Sequence, residues 1–252
     1  MPPTTIDFAR RRLRRSKIRS AFCSPYLRSI LCQNASTLDI SRIMNQSKVL
    51  IVNLSKGSLG TEPSHLLGAL LITAFSQAAE ARRHLSEGER RDFTLYVDEF
   101  QNFATESFAA ILSEAPKWRL SLIAANQHVS QLPDTLQDAV FGNAGTLIAF
   151  RTGAKDAALL ADELGLQSSR ALTTTNNFHA WLRLMHKGAP MEPRMIHTLP
   201  PKPLGTKLDR VIALARARHM IPRSLAEAQI RAFFPKAPGK HPRHKKKRNP
   251  DA

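Results

Sequence analysis

A short apolar segment that ends in two adjacent acids lies near the middle of the sequence. Most residues of Phe93–Val97 favour strands, and Asp98 and Glu99 follow this segment directly. No glycine or proline interrupts the chain as far as Phe103. Strands that are buried on both faces have this composition. The two acids fit either a capping pair at the start of a helix or a carboxylate site at the carboxyl end of a strand.

Apolar segments of strand length alternate with amphipathic segments of helix length along the chain. Strands are predicted over residues 48–54, 93–97, 120–125 and 146–151, and helices over 63–85, 106–117, 134–141 and 155–164. This alternation predicts an α/β fold with a mostly parallel sheet flanked by helices on both faces. Asp98, Gln127 and Arg151 would then lie at one edge of the sheet, which is where ligands bind in open α/β folds.

The remaining segments predict shorter or more exposed elements. Helices are predicted over residues 25–33, 207–219 and 224–233, and a helical turn over 41–45. Residues 179–186 alternate polar and apolar side chains, which predicts a half-exposed edge strand. Residues 191–204 are rich in proline and are expected to be extended.

A glycine-containing loop, Ser-Lys-Gly-Ser-Leu-Gly, occupies residues 55–60. It lacks the GxxxxGK[ST] pattern, because no Lys-Ser or Lys-Thr follows its second glycine. Two interpretations stay open. The loop is a sharp turn into the next helix, or its backbone contacts a phosphate.

The net charge of +17 is concentrated at the two ends of the chain. Residues 1–20 and residues 236–252 each contain seven Lys or Arg and one Asp. Such runs are either solvated, disordered tails or weak contacts to a polyanion. The candidate DNA contacts are Arg10, Arg11, Arg12, Arg14 and Arg15 at one end, and Lys245, Lys246, Lys247 and Arg248 at the other.

The longest apolar run, residues 66–75, is too short to span a bilayer, and no apolar signal-peptide core opens the sequence. A cytoplasmic location is therefore expected, with attachment to the inner face of the membrane only through partners. Cys23 and Cys32 match no metal-ligand spacing and are predicted to be reduced thiols.

Three segments, taken in order and spacing, resemble the conjugative coupling ATPases of type IV secretion (the TraD/TraG type) and their HerA-like relatives. They are residues 53–70, with Asn-Leu-Ser-Lys-Gly at the start; residues 97–103, Val-Asp-Glu-Phe-Gln-Asn-Phe; and residues 125–151, with Ala-Asn-Gln at the start and Phe-Arg at the end. The resemblance covers about residues 10–203 and is stronger in the two later segments. It implies a RecA-like P-loop ATPase fold, a hexameric ring and ATP-driven movement of single- or double-stranded DNA.

The same resemblance implies roles for four residues. Asp98 would order a magnesium ion through its water shell, and Glu99 would polarise the attacking water, as in a Walker B motif. Gln127 would sense the γ-phosphate of ATP. Arg151 is a candidate contact to a neighbouring subunit. Phosphoryl transfer needs these residue types, since it depends on an acid near the metal, a second near the water and a neutral hydrogen-bonding group near the phosphate.

The sequence also departs from the family. No GxxxxGK[ST] phosphate loop (Walker A) occurs in it, so the RecA-like fold is expected to be incomplete on its N-terminal side and tight binding of ATP is not expected. Pro116 stands where family members usually carry an arginine that can act across the subunit interface, and the loss of such a group can cost ~10³-fold or more in rate. A missing central strand would leave an apolar sheet edge that another chain must cover.

The predicted organisation is a basic N-terminal arm (residues 1–20), a partial RecA-like ATPase domain (21–203), C-terminal helices (204–234) and a disordered basic tail (235–252). Three functions remain open. The chain is the Walker B half of a DNA-translocating motor that cannot hydrolyse ATP alone, a non-catalytic module that binds nucleic acid or assembles with other proteins, or one half of a split motor. The expected partners are DNA, other motor subunits, and a relaxase or secretion channel.

Overall fold

The structure is a computed structural model, and it describes residues 25–33, 36–103, 106–202, 205 and 207–233. Two compact units divide the chain. The larger unit is Asp39–Thr206, and the described part of the smaller unit consists of residues 25–33, 36–38 and 207–233. Each described residue to which the sequence assigns a site role belongs to the larger unit.

The helices match the sequence pattern within a few residues at most ends. In chain order they are α1 (Pro25–Leu31), α2 (Ile40–Asn45), α3 (Lys56–Leu59), α4 (Thr61–Glu80), α5 (Glu106–Glu114), α6 (Asp134–Asn143), α7 (Ala154–Leu164), α8 (Arg170–Thr173), α9 (Leu208–His219) and α10 (Arg223–Phe233). α5 gives way to a 3-10 turn, Ala115–Trp118, because Pro116 has no backbone N–H to continue the helix. α7 stops at Gly165, which has a φ of 76°.

The strands form two sheets. They are β1 (Phe93–Val97), β2 (Leu120–Ala124), β3 (Thr146–Ala149), β4 (His179–His186), β5 (Ala189–Pro190) and β6 (Arg194–His197). β1 and β2 pair in parallel, with Phe93 opposite Leu120. β4 pairs antiparallel with β3 on one side and with β6 on the other, and its end pairs with β5. The predicted α/β fold with parallel strands and flanking helices is confirmed, and a separate antiparallel sheet is added to it.

Two strand predictions are wrong. Residues 48–54, all of them described, form no strand: Val49 and Ile51 are 87% and 85% exposed. Their composition favours a strand, but a strand also needs a neighbour that completes its hydrogen-bond ladder, and in the described part of the chain β1 pairs with β2 alone. The second error concerns β4, which lies inside its sheet and not at its edge.

Two hydrophobic cores lie in the larger unit. The first joins α4, α5 and α6 to β1 and β2, and Phe75 stacks on Phe93 with ring centroids 5.6 Å apart. Phe100, just after β1, stacks on Phe108 of α5 at 5.2 Å. The second core packs α7 and α8 against β3 and Trp181 of β4.

A buried arginine ties the first core together. Arg82, only 2% exposed, donates from Nη1 to the carbonyl oxygens of Arg91 (2.8 Å) and Trp118 (3.0 Å), and from Nε to Oδ1 of Asn45 (3.0 Å). Burial lowers the pKa of the Arg82 guanidinium, and nearby Arg90 lowers that pKa further. This one side chain therefore joins the end of α2, the end of α4 and the entries to both parallel strands.

In the smaller unit α1 contacts α10, and Leu27, Ala226 and Ile230 are buried. α9 has no buried residue. Across the residues that the structure describes, no helix is both long enough and apolar enough to cross a membrane.

Candidate functional site

The two acids after β1 are held by a tight local turn. The Glu99 N–H donates to Oδ1 of Asp98 (3.0 Å), and the Gln101 Nε2 donates to Oε2 of Glu99 (2.6 Å). Glu99 has φ 51° and ψ 44°, the left-handed region that a residue with a side chain seldom adopts. It precedes the 3-10 turn Phe100–Asn102 without capping it through its side chain. The structure therefore does not use these acids as a helix-capping pair. Strain of this kind often lies at functional sites.

Hydrogen bonds join the carboxyl ends of β1 and β2. The Ala125 N–H donates to the carbonyl oxygen of Val97 (2.9 Å), and the Phe100 N–H donates to the carbonyl oxygen of Ala125 (3.1 Å). The segment that begins with Asn126 and Gln127 thus leaves β2 at the same edge at which the acids leave β1. The Gln127 side chain is exposed at this edge.

The glycine loop lies beside the acids. Lys56 donates from Nζ to Oδ1 of Asn102 (2.9 Å), and both residues line a cavity of about 880 Å³ together with Asp98 and Glu99. The cavity lies between β1, α4 and residues 47–56. Lys56 and Asn102 are contacts that the sequence analysis missed, because nothing in the sequence joins two loops 46 residues apart.

The glycine loop is not shaped as a phosphate cradle. Its amides are used within the short helix α3: those of Ser58 and Leu59 donate to the Ser55 carbonyl oxygen, and that of Gly60 donates to the Lys56 carbonyl oxygen. Gly60 then turns the chain into α4 with a φ of 87°. Of the two interpretations left open by the sequence, the structure supports the sharp turn.

The site therefore fits only part of a magnesium–nucleotide complex. Asp98 and Glu99 are oxygen ligands of the kind that a hydrated magnesium ion accepts. The amides of Ser58, Leu59 and Gly60 are used within α3, and the described residues form no group of three or more His, Cys, Asp or Glu side chains that could hold a metal.

Two buried acceptors at this edge lack a donor within the described part of the chain. They are Oε1 of Gln101, after β1, and Oδ1 of Asn126, after β2. A buried acceptor without a partner costs roughly 1–3 kcal/mol.

Arg151 lies elsewhere. It follows β3, in the other sheet, and is exposed, and no described hydrogen bond or ion pair joins it to Asp98, Glu99 or Gln127. The two regions are connected instead through Asp156.

The buried Asp156 of α7 accepts a hydrogen bond from the Ser130 N–H (3.1 Å), and its Oδ2 lies 3.5 Å from Nδ1 of His128. Both partners belong to the segment that carries Gln127. The sequence analysis missed this link, although an acid in the first turn of a helix is a usable signal.

The terminal residues predicted to contact DNA lie outside the described part of the chain: Arg10, Arg11, Arg12, Arg14, Arg15, Lys245, Lys246, Lys247 and Arg248. The prediction for the two basic arms therefore stays a prediction.

No protein-family model and no curated protein matches the sequence. Among solved structures, the chain is similar to the genome packaging NTPase B204 from Sulfolobus turreted icosahedral virus 2 in complex with AMPPCP, with 14% identity, 68% of this chain and 75% of that chain covered, and a TM-score of 0.47. It is also similar to the bacterial conjugative coupling protein TrwBdeltaN70, with 13% identity, 56% of this chain and 38% of that chain covered, and a TM-score of 0.47. Likeness of this degree does not define the family.

Proposed function

We propose that residues 39–206 are the Walker B half of a DNA-translocating ATPase, and that the chain does not bind or hydrolyse ATP alone. One observation carries the proposal. Asp98 and Glu99 follow the carboxyl end of β1, and hydrogen bonds join that end to the end of the parallel strand β2. The described residues contain no GxxxxGK[ST] phosphate loop beside them. The resemblance of the three segments supplies the class of motor.

Under this proposal the acids and Gln127 keep the roles that the resemblance implies. Asp98 is the residue for a hydrated magnesium ion and Glu99 the residue for the attacking water, with Gln127 next to the phosphoryl group. The left-handed backbone at Glu99 and its bond to Gln101 hold that carboxylate in one orientation. The residues for the phosphates, and DNA with other motor subunits as partners, come from outside this half.

Nucleotide binding by the purified full-length chain tests the proposal. We expect no saturable binding of a fluorescent ATP analogue with magnesium at micromolar concentration, and no hydrolysis above background, because the phosphate donors are missing. The measurements are fluorescence anisotropy and phosphate release.

Glu99→Gln and Glu192→Gln provide the matched pair of variants, since Glu192 is an exposed acid far along the chain from the site. Hydrolysis that Glu99→Gln abolishes and Glu192→Gln preserves would overturn the proposed inactivity. Binding without hydrolysis would overturn the proposed lack of nucleotide affinity.

A second candidate function is a non-catalytic nucleic-acid module, and the distribution of charge favours it. Residues 1–20 and 236–252 together hold 14 of the 37 Lys and Arg residues. If these arms bind DNA, the affinity for single- and double-stranded oligonucleotides falls steeply with salt.

Removing both arms is then expected to weaken DNA binding by about tenfold or more at low salt, because fewer phosphates are neutralised. Electrophoretic mobility shifts over a salt series would measure it. An unchanged affinity for DNA would show that the two arms serve only as solubilising tails. The second candidate function would then be wrong.

A further inference from the structure

Two strands of the antiparallel sheet bring two histidines side by side. In the pairing of β4 with β6, His179 lies directly opposite His197. The centroids of their rings are 4.7 Å apart, and the ring planes are inclined at 48°. Only the strand pairing brings these residues together, and neither belongs to the site around Asp98 and Glu99.

The position of the pair in the ladder brings the two side chains close. The Thr198 N–H donates to the Phe178 carbonyl oxygen (2.7 Å), so Phe178 and Thr198 form a hydrogen-bonded pair. Hydrogen-bonded and non-hydrogen-bonded pairs alternate along an antiparallel ladder, and His179 and His197 are therefore a non-hydrogen-bonded pair. Side chains lie closest together at pairs of this kind, which favours contact between the two rings.

A hydrogen bond sets the position of the proton on the His179 ring. Its Nδ1 lies 3.0 Å from the carbonyl oxygen of Asn177. A carbonyl oxygen only accepts, so in the neutral ring the proton is on Nδ1 and the lone pair is on Nε2. Histidines that bind metals almost always donate from their other ring nitrogen to a carbonyl or carboxylate in this way. The His179 ring is thus prepared to bind a cation through Nε2.

The His197 ring has both nitrogens uncommitted. It is exposed, and no hydrogen bond or ion pair joins it to another residue in the described part of the chain. His179 is half-buried. The pair therefore combines one ring that the fold holds in place with a second ring that can adjust to an ion arriving from solvent.

The residue before His179 is strained. Phe178 has a φ of 64°, in the left-handed region that is unfavourable for a bulky side chain, and its ring is 67% exposed. Its carbonyl oxygen accepts hydrogen bonds from the N–H (2.7 Å) and Oγ1 (2.9 Å) of Thr198, which hold this conformation. Because so exposed a ring gains little from packing, packing does not explain the strain. Strain of this kind often lies at functional sites.

The separation of the two rings fits one shared metal ion. A zinc ion bonded to a ring nitrogen at ~2.0–2.1 Å lies ~3.2 Å from the centre of that ring. Ring centres 4.7 Å apart then subtend ~95° at the ion, against ~109° in a tetrahedral site. A small rotation of the exposed His197 ring would close this difference.

We propose that His179 and His197 together bind one borderline divalent cation, Zn²⁺ or Co²⁺, with water in the remaining coordination positions. Imidazole nitrogen suits such ions, whereas Mg²⁺ prefers oxygen ligands. The described residues form no group of three or more ligand side chains, so the site is open and its affinity is in the micromolar range.

The bound ion would join β6 to β4. Among the described residues β6 pairs with β4 alone, and an ion across the pair adds a second link between these strands. The site belongs to the antiparallel sheet and does not rest on the proposed function. Failure of either proposal leaves the other unchanged.

Titration of the full-length chain with Zn²⁺ tests the proposal. The imidazole nitrogens are followed by NMR, because the sequence has nine histidines and each must be observed separately. We expect the signals of His179 Nε2 and of one His197 nitrogen to shift at stoichiometric Zn²⁺, and Mg²⁺ at the same concentration to leave both unchanged. Shifts confined to other histidines, or a response only at millimolar Zn²⁺, would overturn the proposal.

His197→Ala and His186→Ala are the matched pair of variants, since His186 is an exposed histidine of β4 outside the pair. We expect His197→Ala to raise the Zn²⁺ concentration that shifts His179 Nε2 by at least about tenfold, because a single imidazole is a weak site. His186→Ala should leave that concentration unchanged. The same concentration in both variants would contradict a shared ion.

A sulfur ligand checks the position of the ion directly. With Co²⁺ in place of Zn²⁺, His197→Cys should produce a sulfur-to-cobalt charge-transfer absorption, because a thiolate also binds such ions. His186→Cys is the control and should not produce it. Both substitutions are at exposed positions, so the variants should fold. If neither variant gives this absorption, or both give it equally, no ion lies between β4 and β6.

Discussion

The two sheets of the larger unit differ in how complete they are. β4 is paired on both sides in the antiparallel sheet, whereas the parallel pair β1–β2 has an open edge on each side within the described residues. Antiparallel sheets tolerate one solvated face, but parallel sheets occur almost only with both faces covered. Tyr96 on β1 is nevertheless 72% exposed. Asp98 and Glu99 therefore belong to the sheet whose two edges are unpaired among the described residues.

The two cores also depend on different interactions, and two tryptophans allow each to be followed. Trp118 packs against the first core and Trp181 against the second, and the sequence contains only these two. Variants with a single tryptophan (Trp118→Phe or Trp181→Phe) would therefore report urea unfolding of one core at a time.

The largest effect is expected for Arg82→Ala. The substitution leaves the partly buried carbonyl oxygens of Arg91 and Trp118 without this donor and empties the buried volume of the Arg82 side chain, so we expect a loss of roughly 3–5 kcal/mol in the first core. The unfolding midpoint reported by Trp118 should fall more than that reported by Trp181.

Arg83→Ala is the matched control for Arg82, because Arg83 is exposed and its contacts, an ion pair with Glu80 and a hydrogen bond from Nε to Nε2 of His84 (3.4 Å), lie at the surface. We expect it to change stability by less than about 0.5 kcal/mol. Equal shifts of the Trp118 and Trp181 midpoints in Arg82→Ala would show that the two cores unfold as one unit. The two cores would then not differ in stability.

An intermediate effect is expected for Asp156→Ala, which breaks the link between the cores. The Ser130 N–H loses its buried acceptor, and we expect a cost of about 2 kcal/mol together with faster amide exchange at Ser130. Both tryptophan signals should shift, since Asp156 belongs to the second core's helix and its partners lie after β2.

Asp156→Asn keeps an acceptor oxygen at the same place and should cost less than about 1 kcal/mol. If the alanine variant is as stable as the asparagine variant, the hydrogen bond to Ser130 does not connect the cores.

The sequence predicted most of the elements and the acids of the site for clear physical reasons. Helical periodicity marks α4 and α7, and the strand composition before Asp98 is unambiguous. It failed at residues 48–54 because composition records the preference of a segment but not the presence of a pairing neighbour. The burial of Arg82 could not be predicted either, since it depends on carbonyl groups from other segments of the chain.

For the candidate site too, the sequence predicts the position of residues but not the contacts between distant segments. The alternation of elements places Asp98 and Gln127 at one edge, and the hydrogen bonds between the ends of β1 and β2 agree with that placement. The bond between Lys56 and Asn102 and the unpaired acceptor of Asn126 are properties of the folded chain alone.

The last comparison is between the two glycines next to the acid site, and the smallest effect is expected at Gly57. Gly68 of α4 faces the Phe103 ring, and a Cβ at Gly68 would overlap that ring, so Gly68→Ala should cost roughly 1–3 kcal/mol by overpacking. Gly57 of α3 has open space where a Cβ would stand. Gly57→Ala should leave stability unchanged or raise it by up to about 1 kcal/mol, because alanine favours a helix over glycine.

Urea unfolding followed through Trp118 measures both glycine variants. A cost for Gly57→Ala similar to that for Gly68→Ala would mean that the loop at residues 55–60 does not hold the helical form of α3. Its amides would then be available to a phosphate, and the interpretation of this loop as a sharp turn would be wrong.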